Sequence, residues 1–127
     1  MTTLSEIMTS EVFTTAKDAT VTDVAAAMVR GRFGSALVTN DPVLLGIFTE
    51  RDVMRAAASG EDLTTSPVSR WMTEHPMTAE PAMNAEDAAD LMLSNGFRHL
   101  PVVEGTRVLG IVSLRDVLSQ RIGSRAR

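Results

Sequence analysis

The sequence contains no cysteine, which excludes both a disulfide framework and a thiolate metal site. It also lacks long apolar runs, since none approaches the roughly 18 residues that a membrane-spanning helix needs. Twelve basic residues against 16 acidic ones give a net charge of −4 and no basic stripe for nucleic acid. With only two histidines, which are not closely spaced, we expect no transition-metal site. These absences predict a cytoplasmic protein that binds small molecules or proteins, with no nucleic-acid or membrane partner.

A shift of 64 residues superimposes the sequence on itself without a gap. The best-preserved segments are GIFTERDV at residues 46–53 and GIVSLRDV at residues 110–117, and the register holds over roughly fifty residues. One copy of about 60 residues would be marginally stable alone, so we expect the two copies to share a core. We predict a first repeat at 1–60, a linker rich in turn-forming residues at 61–67, and a second repeat at 68–127.

Each repeat shows the same order of local patterns, which predicts a β-α-β-β-α unit and an α/β (α+β) fold class. An amphipathic stripe predicts the first helix, with Thr20 or Asn84 placed as its N-cap. Two short apolar runs separated by turn-forming residues then predict a hairpin, which leads into a second helix. The elements are predicted at residues 12–14, 21–28, 35–39, 44–48 and 51–56, and again at residues 76–78, 85–92, 100–103, 108–112 and 115–120.

The strongest local signal is a strand followed by a hydroxyl residue and, three residues later, an aspartate. It occurs twice, as Thr49 with Asp52 and as Ser113 with Asp116. One interpretation is structural, because this spacing is typical of a helix cap. The other is a binding site, because a helix N-terminus attracts phosphate and a carboxylate can accept two hydrogen bonds from a ribose diol. The two interpretations are compatible, and the sequence leaves both open.

These segments, with Met-Thr at residues 8–9 and 72–73 and GFRHLPVV at residues 96–103, resemble the CBS domain, and two in tandem resemble a Bateman module. The resemblance covers nearly the whole chain. It implies two β-α-β-β-α repeats packed through their sheets with pseudo-two-fold symmetry and a cleft on each side. It also implies binding of adenine nucleotides such as AMP, ADP or ATP in those clefts.

The resemblance further implies which residues contact the ligand. Asp52 and Asp116 would hold ribose hydroxyls, and Thr49 and Ser113 would lie beside the phosphates. The adenine would lie on main chain and side chains of the first strand and of the strand after the first helix, at Thr14, Ala16, Ala36 and Leu37 or at Thr78, Leu100 and Pro101.

The second repeat carries two further candidates for phosphate binding. Arg98 and His99 match positions that reach toward phosphates in similar proteins, and a guanidinium has paired donors suited to that task. The first repeat has Gly34 and Ser35 there, which cannot neutralise a phosphate. We therefore expect two unequal sites.

As a function we predict a regulatory ligand-sensing module, which is not an enzyme and requires no cofactor, with an adenine nucleotide as its regulatory ligand. No effector domain lies within these residues, so its output would reach an unidentified protein effector in trans. The resemblance also implies a homodimer. The alternative is a structural or dimerisation module without a nucleotide ligand, in which capping is the whole purpose of the repeated motif.

Overall fold

The computed structural model describes residues 1–125, and the side chains of residues 1–119. The chain forms two compact units: a central unit, Val12–Pro76, and a terminal unit, which combines Met1–Glu11 with the chain from Met77 onward. In chain order the elements are α1 (Leu4–Ile7), β1 (Thr14–Thr15), α2 (Val21–Gly31), β2 (Ser35–Asn40), β3 (Val43–Thr49), α3 (Glu50–Ala58), a 3-10 turn (Val68–Arg70), β4 (Thr73–Glu74), α4 (Ala85–Asn95), β5 (His99–Glu104), β6 (Arg107–Ser113) and α5 (Leu114–Arg125).

The central unit is a four-stranded sheet with helices α2 and α3. The strands lie in the order β1-β2-β3-β4, with β1 parallel to β2 and the other neighbours antiparallel. The Thr20 hydroxyl caps α2 by accepting a hydrogen bond from the Asp23 N–H at 3.2 Å, as the sequence predicts. The apolar stripe of α2 and the buried side chains of the hairpin form the core, of which Phe48 is the largest fully buried member.

The terminal unit contains the antiparallel pair β5-β6 with α1, α4 and α5. Asn84 caps α4 through a 2.8 Å hydrogen bond from the Asp87 N–H to its side-chain oxygen, which confirms the second predicted cap. Gly105 turns the hairpin at a φ of 63°, a region that favours glycine. Leu4, Met92 and Leu100 are fully buried in this core.

The units do not follow the sequence repeats, because the first segment of each repeat packs on the hairpin of the other. Met8 lies against Gly110 of β6, and the backbones of Thr9 and Ile111 form a β-bridge. Correspondingly, Met72 lies against Gly46 of β3, and β4 pairs with that strand. A Cβ on Gly46 would stand 2.6 Å from the Met72 sulfur, and a Cβ on Gly110 would stand 2.8 Å from the Met8 sulfur. The close approach of these segments explains the glycine in each repeat.

One predicted strand is reduced to a single bridge. The stretch at residues 76–78 is not a strand; instead Ala79 bridges Val102 in parallel, and the only ladder bonds are made by the N–H and C=O of Ala79. The next donors of this parallel ladder would be the N–H groups of residues 81 and 101, and because both are prolines, the ladder cannot extend in either direction. The short elements α1 and β4 were not predicted.

Candidate functional site

In the central unit, the predicted site lies where β3 runs into α3. Thr49 is the last residue of β3 and the N-cap of α3, and Asp52 lies in the first turn of the helix. One carboxylate oxygen of Asp52 accepts hydrogen bonds from the Thr49 N–H at 2.9 Å and from the Thr49 hydroxyl at 3.3 Å. The Asp52 side chain is only 7% exposed. The helix cap that the sequence allows is therefore present in this repeat.

The second carboxylate oxygen of Asp52 is occupied by an arginine. Arg55 Nη1 lies 2.9 Å from Asp52 Oδ1. The same guanidinium lies 6.0 Å from the centre of the Trp71 ring and 3.5 Å from the Trp71 carbonyl oxygen. Arg70 stands 5.8 Å from the same ring and pairs with Glu61 at 2.8 Å. Arg55 thus pairs with Asp52 and lies near Trp71, while its own side chain stays 58% exposed.

Strand register brings the other predicted residues of this unit close to the helix start. Ser35 pairs with Thr49, and Leu37 pairs with both Ile47 and Thr14. Thr14 and Ala16 are exposed, whereas Ala36 and Leu37 are buried. The Gly34 carbonyl accepts a 3.2 Å hydrogen bond from the Glu50 N–H, which fixes the start of β2 against the first turn of α3.

In the terminal unit, the equivalent junction lies between β6 and α5. The Ser113 hydroxyl accepts a 3.1 Å hydrogen bond from the Asp116 N–H, so Ser113 also acts as a helix cap. The Asp116 side chain is exposed, and within the part of the chain that the structure describes its carboxylate makes no hydrogen bond or ion pair. The two aspartates therefore stand at equivalent positions in different environments.

Arg98 lies beside this second junction. Its carbonyl accepts a 2.8 Å hydrogen bond from the Leu114 N–H, the counterpart of the bond between Gly34 and Glu50. Its side chain is exposed, and among the side chains of residues 1–119 its guanidinium has no hydrogen-bond or ion-pair partner. His99 is half-buried and pairs across the hairpin with Ser113. The register thus groups Arg98, His99, Ser113 and Asp116 at one end of the β5-β6 pair.

The remaining predicted residues of the terminal unit differ in how far they are buried. Thr78 is exposed and directly precedes the bridge at Ala79. Leu100 and Pro101 are buried, as are their counterparts in the central unit. Each set of predicted residues therefore lies within one compact unit, with its polar members at the helix start and two buried residues in the adjoining strand.

The central unit also has a cavity of about 380 Å³ beside α2 and the start of α3. Met28, Val29, Phe33 and Val53 line it, with Arg32 and Glu50 as its charged residues. Its lining includes neither Thr49 nor Asp52. It adjoins the start of α3 through Gly34 and Glu50 but does not include the two capping residues.

The chemistry of these junctions suits a ligand with hydroxyl and phosphate groups better than a metal. A helix N-terminus offers unpaired N–H groups and the positive end of the helix dipole, while a carboxylate accepts hydrogen bonds from hydroxyls. No group of three or more acidic, histidine or cysteine side chains that could hold a metal ion occurs in the described part of the chain. Over the same residues, no helix is long and apolar enough to cross a membrane.

Sequence reasoning missed one residue of the site, Arg55. It lies three residues after Asp52 on α3, a spacing that places two side chains on one helix face. The repeat itself carries the signal, because the 64-residue shift places Ser119 where the first repeat has Arg55. Trp71, which the sequence indicates only as a packing residue, also contacts the site through Arg55.

Comparison with known proteins decides the family. The CBS domain profile matches residues 4–59 and 68–123, one match in each repeat. The chain belongs to the CBS domain family. As a pair of CBS domains it is a regulatory module, and the recognition and the fold class predicted from the sequence are both confirmed.

Relatives of this CBS pair include proteins of similar length. The CBS domain-containing protein YhcV of Bacillus subtilis (strain 168) is 32% identical over 127 residues, which cover 99% of this chain and 90% of the relative. The structure of a protein with CBS domains from Burkholderia ambifaria MC40-6 is 27% identical, has a TM-score of 0.91, and is matched over 98% of this chain and 96% of its own. The CBS domain pair of protein MJ0100, solved in complex with 5′-methylthioadenosine and S-adenosyl-L-methionine, has a TM-score of 0.87 over 98% of each chain. Because that pair is only 22% identical to this chain, the likeness shows the fold alone.

Proposed function

We propose that this CBS pair is a sensor of adenine nucleotides that regulates a protein partner in trans. The observation that carries the proposal is the group of Ser113, Asp116 and Arg98 at the start of α5. It combines an acceptor for hydroxyls, a donor for phosphate and a helix N-terminus on adjoining elements. The Asp116 carboxylate and the Arg98 guanidinium are both exposed, so a ligand can reach them.

Each part of a nucleotide has a counterpart in this group. The exposed carboxylate of Asp116 can accept both hydroxyls of a ribose, which a cap does not require. The α5 N-terminus and the Arg98 guanidinium can share a phosphate, because arginine binds phosphate oxygens through two parallel N–H donors. The base would lie against Thr78 and the strand that carries Leu100 and Pro101. AMP, ADP and ATP share this combination of ribose, phosphate and adenine.

The comparisons support the ligand class only at the level of the fold. The MJ0100 pair is described with two adenosine-containing ligands, so the fold can hold such a molecule in that protein. We extend this to the present chain because its own residues provide acceptors for the ribose. The presence of Arg98 favours ligands with a phosphate over those without one.

The proposed role is regulatory and not catalytic. Nucleophilic catalysis by a serine requires a neighbouring base that takes the proton of its hydroxyl. The Ser113 hydroxyl is instead the hydrogen-bond acceptor of a helix cap. We further propose that the protein acts as a cytoplasmic homodimer, in which ligand binding changes shape or association, and that no cofactor is required.

One observation favours the second candidate function, a structural or dimerisation module. The Asp52 carboxylate is buried, and both of its oxygens are satisfied within the chain. If Asp116 behaved in the same way, the repeated motif would serve capping alone. In that case no adenine nucleotide would raise the melting temperature.

Ligand-dependent stability tests the proposal. The melting temperature is measured with AMP, ADP, ATP and S-adenosyl-L-methionine, with guanine nucleotides as controls, because a ligand at 100 times its Kd stabilises the folded state by about 2.7 kcal/mol. We expect a shift of several degrees with adenine nucleotides and none with guanine nucleotides. An absence of shift in protein freed of carried-over nucleotide contradicts the proposal.

The phosphate contact has its own test. Arg98→Ala should weaken the binding of ADP about tenfold or more and leave adenosine binding nearly unchanged, since a charge-assisted hydrogen bond contributes about 1.5–3 kcal/mol. Arg107→Ala is the matched control, because Arg107 is an exposed arginine at the opposite end of the same hairpin. Affinity for ADP should also fall as salt rises, because salt screens exposed charges. Equal losses for ADP and adenosine would show that Arg98 does not bind phosphate.

A further inference from the structure

The two repeated aspartates differ in whether a ligand can reach them. Asp52 is 7% exposed, and its two carboxylate oxygens accept hydrogen bonds from the Thr49 backbone, the Thr49 hydroxyl and Arg55. Asp116 is exposed, and its carboxylate has no partner in the portion of the molecule covered by the structure. A ribose diol needs both carboxylate oxygens on an open face, and only Asp116 offers this.

The difference originates in the sequence. Arg55 of the first repeat corresponds to Ser119 of the second at the 64-residue shift, and a serine has no cationic group to place on Asp116. Trp71, whose ring and carbonyl hold the Arg55 guanidinium, corresponds to Ile7. Both members of the arrangement that covers Asp52 are therefore absent from the second repeat.

We infer that the nucleotide binds at the second repeat alone, and that Arg55 closes the site of the first repeat by serving as the internal counterion of Asp52. This inference rests on the proposed function and assigns it to one of two sites. A ribose that bound Asp52 would have to displace a 2.9 Å charge-assisted hydrogen bond and leave Arg55 without that partner. It would also meet Gly34 where the second repeat has Arg98. In the first repeat the Asp52 carboxylate is thus not available to a ribose, and no cation stands at the position that Arg98 occupies in the second.

Binding stoichiometry tests the inference. The parent protein and its variants are titrated calorimetrically with AMP, ADP and ATP. We expect one equivalent per chain for the parent and at least a tenfold loss of affinity for Asp116→Asn. Arg55→Ser reproduces the second repeat at this position and should add a second, weaker equivalent. The double variant Arg55→Ser/Asp52→Asn should lose that second equivalent again.

Arg30→Ser is the matched control for Arg55→Ser. Arg30 is an exposed arginine in the last turn of α2 of the same unit, so its replacement removes the same charge without touching Asp52. We expect it to keep one equivalent. A second equivalent bound by Arg55→Ser but not by Arg30→Ser is a result that a merely structural role of Arg55 would not produce. Circular dichroism and the fluorescence of Trp71 establish that each variant is folded.

The outcomes separate the inference from the proposed function. Two equivalents in the parent, or unchanged binding by Asp116→Asn, overturn the assignment to the second repeat while the sensor function stands. A folded Arg55→Ser protein that binds a single equivalent overturns the closing role of Arg55. Failure of the parent to bind any of the three nucleotides overturns the proposed function, and the assignment with it. The parent and Asp116→Asn decide the assignment even if Arg55→Ser fails to fold.

Discussion

Replacing Gly46 by alanine tests whether the segment around Met72 packs on β3 as closely as described. The new Cβ would stand 2.6 Å from the Met72 sulfur and 2.8 Å from the Thr73 carbonyl oxygen. The sulfur belongs to a flexible side chain that can move aside. The carbonyl belongs to the backbone of β4, which is hydrogen-bonded to the same strand, so it can move only with its strand.

Two opposing effects set the magnitude. Overpacking of a well-filled contact costs about 1–3 kcal/mol. Alanine also restricts the unfolded chain, which stabilises the protein by about 0.4–1 kcal/mol where the backbone is compatible. The φ of Gly46 is not in the left-handed region, so alanine meets no backbone strain. With the middle of each range, the net loss is about 1.3 kcal/mol, or roughly 5 °C in melting temperature for a chain of this size.

Urea unfolding followed by the fluorescence of Trp71 measures this loss, because Trp71 is the only tryptophan of the sequence and belongs to the central unit. Combination with Met72→Ala provides the control. Removing the Met72 side chain should reduce the penalty of Gly46→Ala without abolishing it, because the Thr73 oxygen remains, and a double-mutant cycle gives the difference. If Gly46→Ala is as stable as the parent or more stable, the close approach of this segment is refuted.

Three further predictions concern the terminal unit and the segment between the repeats. Met92→Ala should lower the free energy of unfolding by about 2–5 kcal/mol, because Met92 is fully buried. The control is Leu93→Ala, which should change it by less than about 0.5 kcal/mol because the neighbouring Leu93 is 55% exposed. Equal losses in urea unfolding would contradict the assigned helix face. Asn84→Ala should cost about 1 kcal/mol by removing the cap of α4, and an unchanged urea midpoint would show that the cap contributes nothing. The two hydrogen bonds from Thr64 lower the pKa of Asp62 in the folded protein below its usual value. Their stabilisation is therefore complete above the pKa of Asp62 in the unfolded chain and is lost as pH falls through its lower pKa in the folded protein. Thr64→Ala should therefore raise the pKa of Asp62 in an NMR titration, and an unshifted titration would exclude the hydroxyl as a cause.

The repeated elements were predictable because their signals are local. A capping residue, Thr20 or Asn84, and the apolar stripe that follows it predict the first helix of each repeat, and both caps are present. The hairpins follow from apolar runs around turn-forming residues. Elements such as α1 and β4 were not predictable, because four or two residues are too short to show a period and depend on partners far along the chain.

The sequence predicted which residues form the candidate site, but not whether a ligand can reach each aspartate. Asp52 and Asp116 each follow a hydroxyl residue by three positions, and the fold brings Arg98 and His99 to the second copy. What the pattern could not give is the accessibility of each carboxylate. That depends on Arg55, which the motif does not include, and on Trp71, which reaches the guanidinium from a different part of the chain.

The first segment of each repeat packs on the hairpin of the other repeat, and this affects the order in which the protein folds during its synthesis. The central unit, Val12–Pro76, is one continuous stretch, so all its residues are synthesised before β5. Met1–Glu11 is made before the central unit, but Ile111, the bridge partner of Thr9, follows that unit in the chain. Domains fold as units, beginning at the N-terminal side of the growing chain. Met1–Glu11 is therefore synthesised before the central unit but reaches its final position after it, and Leu4 stays exposed at least until the segment at Met83–Ala85 has been made.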